Sequence, residues 1–390
     1  QSNYLCRTLT EMKILHLINT LSAGGAELHL LTLSRNLKAR GFELVVACLQ
    51  EKVGGSRSLR EDFEDEGIKV ISFEGHGGID KAFLLRTFIT IRQERPDILH
   101  THLPRADFAG LVSRLVSPKI AWVATVHNIY GEYWSGKWAL PILNLAWRKP
   151  DSIIAISKAV KEWLIGNQGL PPEKIHLVYY GLDPQSPFNR NDNLPEQMQG
   201  FDSDKVIGSI GRLEPRKGHQ TLIEAMPLVL EKVPTAHLLI AGHDPWEYGK
   251  DLQSLISQLG LEKRVQLTGF QSNVKRFLNT LDVFAFASVS EGFGQVLIEA
   301  MAAAKPIVAT NIPPINEIVE HDRSGFLVSP TKEAFADAIT TLLLQPDRSL
   351  LMGKHGRDIL SDRFSANRMA EETVTVYKQA LQRSGCQKLR

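Results

Sequence analysis

The chain alternates short apolar runs with longer amphipathic segments along almost its whole length. Runs of strand length lie at 13–20, 43–49, 68–73, 151–157 and 281–288, and the segments between them place apolar residues at helical spacing. This pattern predicts an α/β protein built on doubly wound parallel sheets. Ligands of such sheets bind at the carboxyl ends of the strands, so candidate site residues are sought there.

The length of the chain indicates that this pattern forms two domains. A chain of 390 residues is too long for one ordinary core. Residues 184–204 are rich in proline, asparagine and charge and hold few core residues, as expected of an interdomain linker. We therefore predict doubly wound domains over 13–183 and 205–365, a disordered leader at 1–12, and a last helix within 366–390.

Composition excludes several classes of protein. The hydrophobic share of 43% and the charged share of 23% are those of a soluble globular protein, and a net charge of +2 is too balanced to indicate nucleic-acid binding. No apolar run approaches the roughly 20 residues needed to cross a bilayer. Cys6, Cys48 and Cys386 are far apart and lack metal-ligand spacing, which favours a reducing compartment. We expect a cytoplasmic protein.

The segment 290–301, SEGFGQVLIEAM, combines a glycine turn with two carboxylates between apolar runs of strand length. Gly292 and Gly294 let the backbone approach a ligand, and the unpaired amides that begin the following helix favour a phosphate or diphosphate. Glu291 and Glu299 cannot bind that anion, so we expect them to accept hydrogen bonds from sugar and ribose hydroxyls. Two solvated glutamates on an ordinary βαβ unit are the alternative.

Two cations lie in the loop of the segment 205–226, which has the pattern of a strand, a loop and a helix. Arg212 and Lys217 are five positions apart, and Pro215 and Gly218 shape the loop between strand and helix. Both cations can therefore converge on one anion above the strand end. Two solvated surface cations are the alternative.

Glycines and histidines also stand at strand ends in the first domain. Gly24 and Gly25 open a helix after the first strand, either as a second anion site or simply as a turn. His127 ends a strand, where it either reaches a ligand or only caps the strand. His100 and His102 face the same way on one strand, but no third ligand lies near them in the sequence, so we predict no metal site.

The segment 131–149 interleaves tryptophan and tyrosine with lysine and arginine around an apolar stretch. This composition suits a membrane interface, where it would meet a lipid-linked acceptor, and it also fits a core-facing helix with snorkelling ends. We favour the core-facing helix. Peripheral contact with the inner face of the cytoplasmic membrane is the alternative.

Four motifs, in order along the chain, resemble those of one enzyme family. GGAE at 24–27, TVH at 125–127, GRL…RKG at 211–218 and the E-x7-E spacing at 291–299 resemble the retaining, nucleotide-sugar-dependent glycosyltransferases of family 4. The resemblance covers essentially the whole chain. It implies the GT-B architecture, in which two Rossmann-like domains face a central cleft and a C-terminal helix crosses back to the first domain.

The resemblance also implies residue roles. Glu291 contacts donor-sugar hydroxyls, Glu299 the ribose, and His127 the donor sugar and reacting centre. Arg212 and Lys217 hold the diphosphate and stabilise the charge that develops as it leaves, so the implied catalytic residues are His127, Arg212, Lys217 and Glu291. Donor binding is implied for Gly24, Gly25, Gly211, Gly269, Phe270, Gly292, Phe293, Gly294, Gln295, Val296 and Glu299, with Glu27 beside the first pair. The chain departs from the family at Tyr180, where asparagine is common, which puts a polar role there in doubt.

The implied reaction is a metal-independent, retaining transfer of a hexose-type sugar from a nucleotide-diphosphate sugar to an acceptor hydroxyl. UDP is slightly favoured over GDP, no cofactor is expected, and no nucleic acid takes part. The acceptor is a glycan, a glycolipid or a small molecule, in surface glycan or glycolipid biosynthesis. Two alternatives stay open: a GT-B nucleotide-sugar epimerase or isomerase, and a non-catalytic nucleotide-sugar-binding protein.

Overall fold

The chain folds into two compact α/β units in a computed structural model. The first unit comprises Gln1–Asp183 and Ala366–Arg390, and the second comprises Pro184–Ser365. The predicted leader apart from Met12, which is buried, lies outside the residues that the structure describes, as do Cys6, Cys386 and nearly all of the predicted linker. The described residues are 12–51, 57–74, 81–130, 139–183, 204–271 and 273–385.

The first unit is built on a seven-stranded parallel sheet. Its strands are β1 Lys13–Thr20, β2 Glu43–Gln50, β3 Lys69–Ser72, β4 Ile98–His102, β5 Ala121–Val126, β6 Ser152–Ala155 and β7 Ile175–Leu177. The order across the sheet is β3-β2-β1-β4-β5-β6-β7, and every described pairing is parallel. The order reverses between β1 and β4, so the loops that follow these two strands diverge and leave a crevice at their carboxyl ends.

Helices cover this sheet as the amphipathic segments predict. They are α1 Gly25–Ala39, α2 Arg60–Asp65, α3 Lys81–Glu94, α4 Pro104–Val116, α5 Leu140–Trp147 and α6 Lys158–Gly166. The Ser157 side chain caps α6 by accepting a hydrogen bond of 3.1 Å from the Val160 amide. Each strand of the sheet's centre is buried along its length, because helices lie on both faces.

The second unit repeats the design with six parallel strands. Its elements are β8 Lys205–Ile210, α7 His219–Lys232, β9 Ala236–Ala241, α8 Gly249–Gln258, β10 Val265–Gly269, α9 Val274–Asn279, β11 Val283–Phe286, α10 Gln295–Ala302, β12 Ile307–Thr310, α11 Ile315–Ile318, β13 Gly325–Val328, α12 Lys332–Leu344 and α13 Pro346–Arg363. The strand order is β10-β9-β8-β11-β12-β13. It reverses between β8 and β11, which places the crevice of this sheet beside the loops after those two strands.

The last helix, α14 Ala366–Arg383, returns to the first unit and packs against α1, β5 and β6. Met369, Val376, Tyr377 and Leu381 belong to the same buried cluster as residues of the first sheet. Helix α14 therefore completes the core of the unit in which the chain began.

Helix α5 is the described part of the aromatic segment predicted at 131–149, of which residues 131–138 lie outside the described residues. Leu143 and Trp147 are buried, which fits the core-facing prediction for this face. Ile142 and Leu145 are 49% and 58% exposed, so the opposite face is apolar and open. Membrane contact through this segment stays the untested alternative. No helix among the described residues is long and apolar enough to span a bilayer.

Candidate active site

In the second unit, the loops after β8 and β11 lie side by side at the reversal point of the sheet. The loop after β8 ends in a 3-10 turn, Pro215–Lys217, and Gly218 follows it with a φ of +68°. A Cβ on Gly218 would lie 2.1 Å from the Ala287 carbonyl oxygen, just after β11. The backbones of the two loops can approach this closely only because glycine stands there.

Lys217 and Glu291 form an ion pair across these two loops. The side chains are only 13% and 9% exposed, and Lys217 Nζ also lies 5.7 Å from the centre of the Phe286 ring. Burial opposes ionisation of Glu291, but the charges of Lys217 and Arg216 outweigh it and lower the pKa of Glu291. Glu291 is therefore a buried carboxylate that stays charged near neutral pH.

Arg216, which no pattern in the sequence distinguishes, joins the two loops. Its guanidinium donates to the Ser290 carbonyl oxygen at 3.1 Å and pairs with Glu214 at 2.7 Å. Its own carbonyl oxygen accepts hydrogen bonds from the Val289 amide at 2.9 Å and the Ser288 hydroxyl at 3.2 Å. These contacts hold the neighbouring Lys217 against the second loop.

Arg212 is the more accessible cation of the predicted pair. Its side chain is 50% exposed, with one nitrogen 3.4 Å from Glu214 and its guanidinium 5.5 Å from the centre of the Trp246 ring. Buried His219 donates from Nε2 to the Arg212 carbonyl oxygen at 3.2 Å. Burial lowers the pKa of His219 to about 4, so it is neutral and fixes the backbone rather than adding charge.

Helix α10 begins beside this pair. Gly294 caps it with a φ of +94°, and Gln295 donates to Glu299 Oε1 at 3.2 Å. Burial raises the pKa of Glu299 to about 7, and the hydrogen bond from Gln295 only partly opposes this shift. The Phe293 side chain is buried against Phe364, with ring centroids 5.9 Å apart, so only its backbone remains for a ligand.

The remaining donor-binding candidates follow neighbouring strands or lie on α10. The Gly211 amide donates to the Ala241 carbonyl at 3.0 Å, and the Gly269 carbonyl accepts from the Gly242 amide at 2.9 Å, which joins the ends of β8, β9 and β10. Phe270 is 49% exposed. Gly292 is buried and Val296 is half-buried on either side of the turn into α10.

In the first unit, Gly24 caps α1, and its carbonyl accepts the first helical hydrogen bond from Leu28 at 2.9 Å. A Cβ on Gly24 would lie 2.8 Å from Glu27 Oε2, so a carboxylate already occupies the space over this turn. Glu27 is buried and accepts a hydrogen bond of 3.1 Å from the Thr20 hydroxyl. Anion binding at Gly24 and Gly25 remains a prediction.

A cluster of five buried histidines surrounds the reversal point of the first sheet. Strand β1 contributes one and β4 contributes two, and the register pairs His16 with His100 and Ile18 with His102. Helix α1 and the end of β5 supply the others. The members are His16, His29, His100, His102 and His127. Sequence reasoning selected the last three and missed His16 and His29.

Three of the five histidines form a hydrogen-bonded chain that ends at Tyr180. His16 Nδ1 lies 3.1 Å from His102 Nε2, His102 Nδ1 lies 3.1 Å from His127 Nε2, and His127 Nδ1 lies 2.5 Å from Tyr180 Oη. His29 stacks on the Tyr180 ring, with centroids 4.1 Å apart. The position that departs from the family thus has a polar role inside the protein, which the sequence had put in doubt.

Both ring nitrogens of His127 are therefore engaged within the first unit. Burial lowers the pKa of His127 to about 3, and its side chain is 8% exposed. A ligand that used this imidazole would have to replace one of its two hydrogen bonds. Contact between His127 and a donor sugar stays a prediction.

The cluster also contains the third imidazole that the sequence did not reveal. His16, His100 and His102 each offer a ring nitrogen, and these atoms lie within 4.8 Å of one another, close enough to hold a metal ion. However, His100 bonds Tyr377 Oη and Thr125 Oγ1, each at 2.7 Å, so both its nitrogens are already used. The absence of a metal site stays a prediction.

Comparison with known proteins relates the chain to glycosyltransferases. Residues 23–186 match the family described as Glycosyltransferase Family 4, and residues 191–359 match Glycosyl transferases group 1. An uncharacterized glycosyltransferase of Methanocaldococcus jannaschii is 29% identical over 308 residues, which cover 75% of this chain and 77% of that protein. The capsular polysaccharide biosynthesis glycosyltransferase CapM of Staphylococcus aureus is 27% identical over 314 residues, covering 78% and 82%.

Solved structures share the fold over nearly the whole chain. The crystal structure of Anabaena HepE in complex with UDP superposes with a TM-score of 0.79 at 25% identity. The superposition covers 93% of this chain and 99% of that one.

Proposed function

Because this chain belongs to the family 4, group 1 glycosyltransferases and has their GT-B fold, we propose that it transfers a hexose-type sugar from a nucleotide-diphosphate sugar to an acceptor hydroxyl. The transfer retains the anomeric configuration. UDP is the expected nucleotide before GDP, and HepE, which binds UDP, supports this order. The acceptor is a glycan, a glycolipid or a small molecule, and the relation to CapM favours a glycan.

One observation carries the proposal: half-exposed Arg212 and the Lys217–Glu291 pair meet where the second sheet reverses its strand order. Arg212 and Lys217 neutralise the diphosphate, whose charge grows as the glycosidic bond breaks. Glu291 stays ionised beside Lys217 and can accept hydrogen bonds from sugar hydroxyls. These cations do the work that a divalent metal does in other phosphate sites, so the proposed transfer needs no metal.

Ligand binding tests the donor site directly. The purified protein is titrated with UDP, GDP and ADP, with and without EDTA, while its thermal unfolding is followed. An Arg212→Ala plus Lys217→Ala variant is compared with a Lys232→Ala plus Arg323→Ala variant, which removes the same charge from exposed positions of the same unit. We expect one diphosphate to raise the melting temperature of the wild type and the control, but not that of the site variant, regardless of EDTA.

Absence of stabilisation by all three nucleotides at millimolar concentration, in well-folded protein, would rule out the donor site. Loss of stabilisation in EDTA would rule out metal independence. Equal loss in the control variant would show that general charge, not the site, holds the nucleotide.

Turnover then separates transfer from the alternatives. The sugar nucleotides of the preferred base are incubated with and without acceptor mixtures, and the product linkage is read from its anomeric proton coupling. We expect consumption of donor that depends on acceptor, with the donor's anomeric configuration kept in the product. Conversion of the donor without an acceptor would instead identify an epimerase.

A further inference from the structure

Hydrogen bonds join the imidazoles of His16, His102 and His127 into a chain. The number of protons on each ring limits the directions that these bonds can take. Burial lowers the pKa of each imidazole, to about 3 for His16 and His127 and well below the ordinary value for His102, so all three are neutral near pH 7. A neutral imidazole has one N–H and one bare nitrogen. It can therefore donate one hydrogen bond and accept one, but cannot donate two.

Because each ring donates one hydrogen bond and accepts one, the direction of one bond in the chain determines the direction of the next. His102 uses both ring nitrogens within the chain, and His127 uses one toward His102 and one toward Tyr180. If His102 donates from Nδ1, it must accept at Nε2, and the same holds for His127. Only two arrangements satisfy all three bonds: His16, His102 and His127 all carry the proton on Nδ1, or all carry it on Nε2.

The two ends of the chain differ, and the His16 end favours the proton on Nδ1. Among the described residues, His16 Nε2 has no partner, and a buried N–H without an acceptor is more costly than a bare nitrogen. At the other end, burial and the charge of Glu27 raise the pKa of Tyr180. Tyr180 therefore keeps its hydroxyl proton, and the lone pairs of its oxygen can accept a hydrogen bond from His127 Nδ1.

We infer that His16, His102 and His127 form one cooperative unit whose rings all hold the proton on Nδ1. His16 and His102 are positioning residues: they decide which nitrogen of His127 carries a proton without needing to touch a ligand. A ligand that replaces Tyr180 at His127 then meets an N–H, suited to a phosphate or sugar oxygen. This consequence rests on the proposed function, whereas the proton assignment does not.

Nitrogen chemical shifts test the assignment in the ligand-free protein. The protein is labelled with ¹⁵N-histidine, and long-range ¹H–¹⁵N correlation distinguishes Nδ1–H, Nε2–H and imidazolium at each ring. We expect Nδ1–H at all three positions. Tyr180→Phe removes the acceptor at one end, so the Nδ1–H arrangement loses its advantage, and the signals of all three rings should move together toward Nε2–H. His16 should respond although it lies two links away from His127.

Tyr377→Phe is the matched control, because it removes the same hydroxyl from His100, which lies beside the chain but not in it. We expect it to change the signals of His100 and leave the three protons in place. The inference fails if the three rings hold different tautomers, if one is an imidazolium, or if Tyr180→Phe affects His127 alone. Stoichiometric metal bound at His16 in the purified protein, found by elemental analysis, would also overturn it. None of these outcomes depends on finding sugar transfer.

Discussion

At the scale of single residues, Glu291 and Glu299 have the same carboxyl group but differ in how readily it ionises. Burial disfavours the charge on both. Lys217 restores the charge of Glu291, whereas Glu299 has only the amide of Gln295, so its pKa rises to about 7. The E-x7-E spacing positions the two carboxyl groups, but the side chains around each group determine whether it is protonated.

The raised pKa of Glu299 predicts how the stability of the second unit depends on pH. Its pKa is about 7 in the folded protein and 4.5 in the reference state, so the folded state holds its proton where the unfolded state has released it. The free energy of unfolding should fall as pH rises from 4.5 to 7, by at most about 3 kcal/mol. Urea unfolding at pH 5 and pH 8 measures this, and Glu299→Gln should remove the effect. An unchanged pH dependence in the variant would contradict it.

The histidine cluster predicts the opposite dependence in the first unit. Its imidazoles stay neutral when folded but bind protons below about 6.5 when unfolded. The histidines therefore leave the folded state at full stability above that pH. As the pH falls below it, the free energy of unfolding decreases by about 1.4 kcal/mol per pH unit for each histidine. Urea unfolding between pH 7 and pH 5 measures the slope. His29→Gln should reduce it by one histidine's share, and a slope in this variant equal to that of the wild type would contradict the prediction.

At the scale of elements, the loops after β8 and β11 act as one structure because Arg216 holds them together. Arg216→Met keeps the apolar stem and removes the guanidinium. We expect the protein to stay folded and the preferred nucleotide diphosphate to bind about tenfold more weakly, because Lys217 loses its fixed position. Isothermal titration of this variant beside Lys232→Met measures the loss. Equal affinities would show that the loops hold their places without Arg216.

The sequence predicted the elements well because hydrophobic spacing is local. Strand β1 has the predicted bounds, 13–20, and the apolar runs predicted at 43–49 and 68–73 hold β2 and β3 within one residue at each end. Motifs at strand ends also locate Arg212 and Glu291 correctly at the carboxyl side of a sheet.

Contacts between strands were not predictable in the same way. His16 is one polar residue in an apolar strand, and only the register of β1 with β4 brings it to His102. The bond from Tyr180 to His127 joins residues far apart in sequence, and no spacing rule relates them. In the sequence, Arg216 cannot be distinguished from a surface cation, because its contacts arise only where the loops after β8 and β11 lie side by side.

At the scale of the whole molecule, α14 belongs to the first unit although it follows the second unit in sequence. Tyr377 is fully buried in this helix and bonds His100. Tyr377→Ala should destabilise the first unit by about 3–5 kcal/mol, the usual cost of emptying an aromatic core site. Tyr377→Phe, which keeps the ring, should cost about 1 kcal/mol. Hydrogen exchange should report the loss first in β5 and β6. Unchanged protection of these strands in Tyr377→Ala would contradict a core role for α14.

The return of α14 also sets an order for synthesis. A ribosome releases the whole of the second unit, up to Ser365, before it makes the helix that fills the core of the first unit. Domains usually complete their folding from the N-terminus onward as they emerge. Here the second unit is continuous in sequence and can finish first, while the first keeps an apolar surface uncovered until α14 appears. We therefore expect the nascent first unit to expose apolar surface, and to be more prone to aggregation, during that interval.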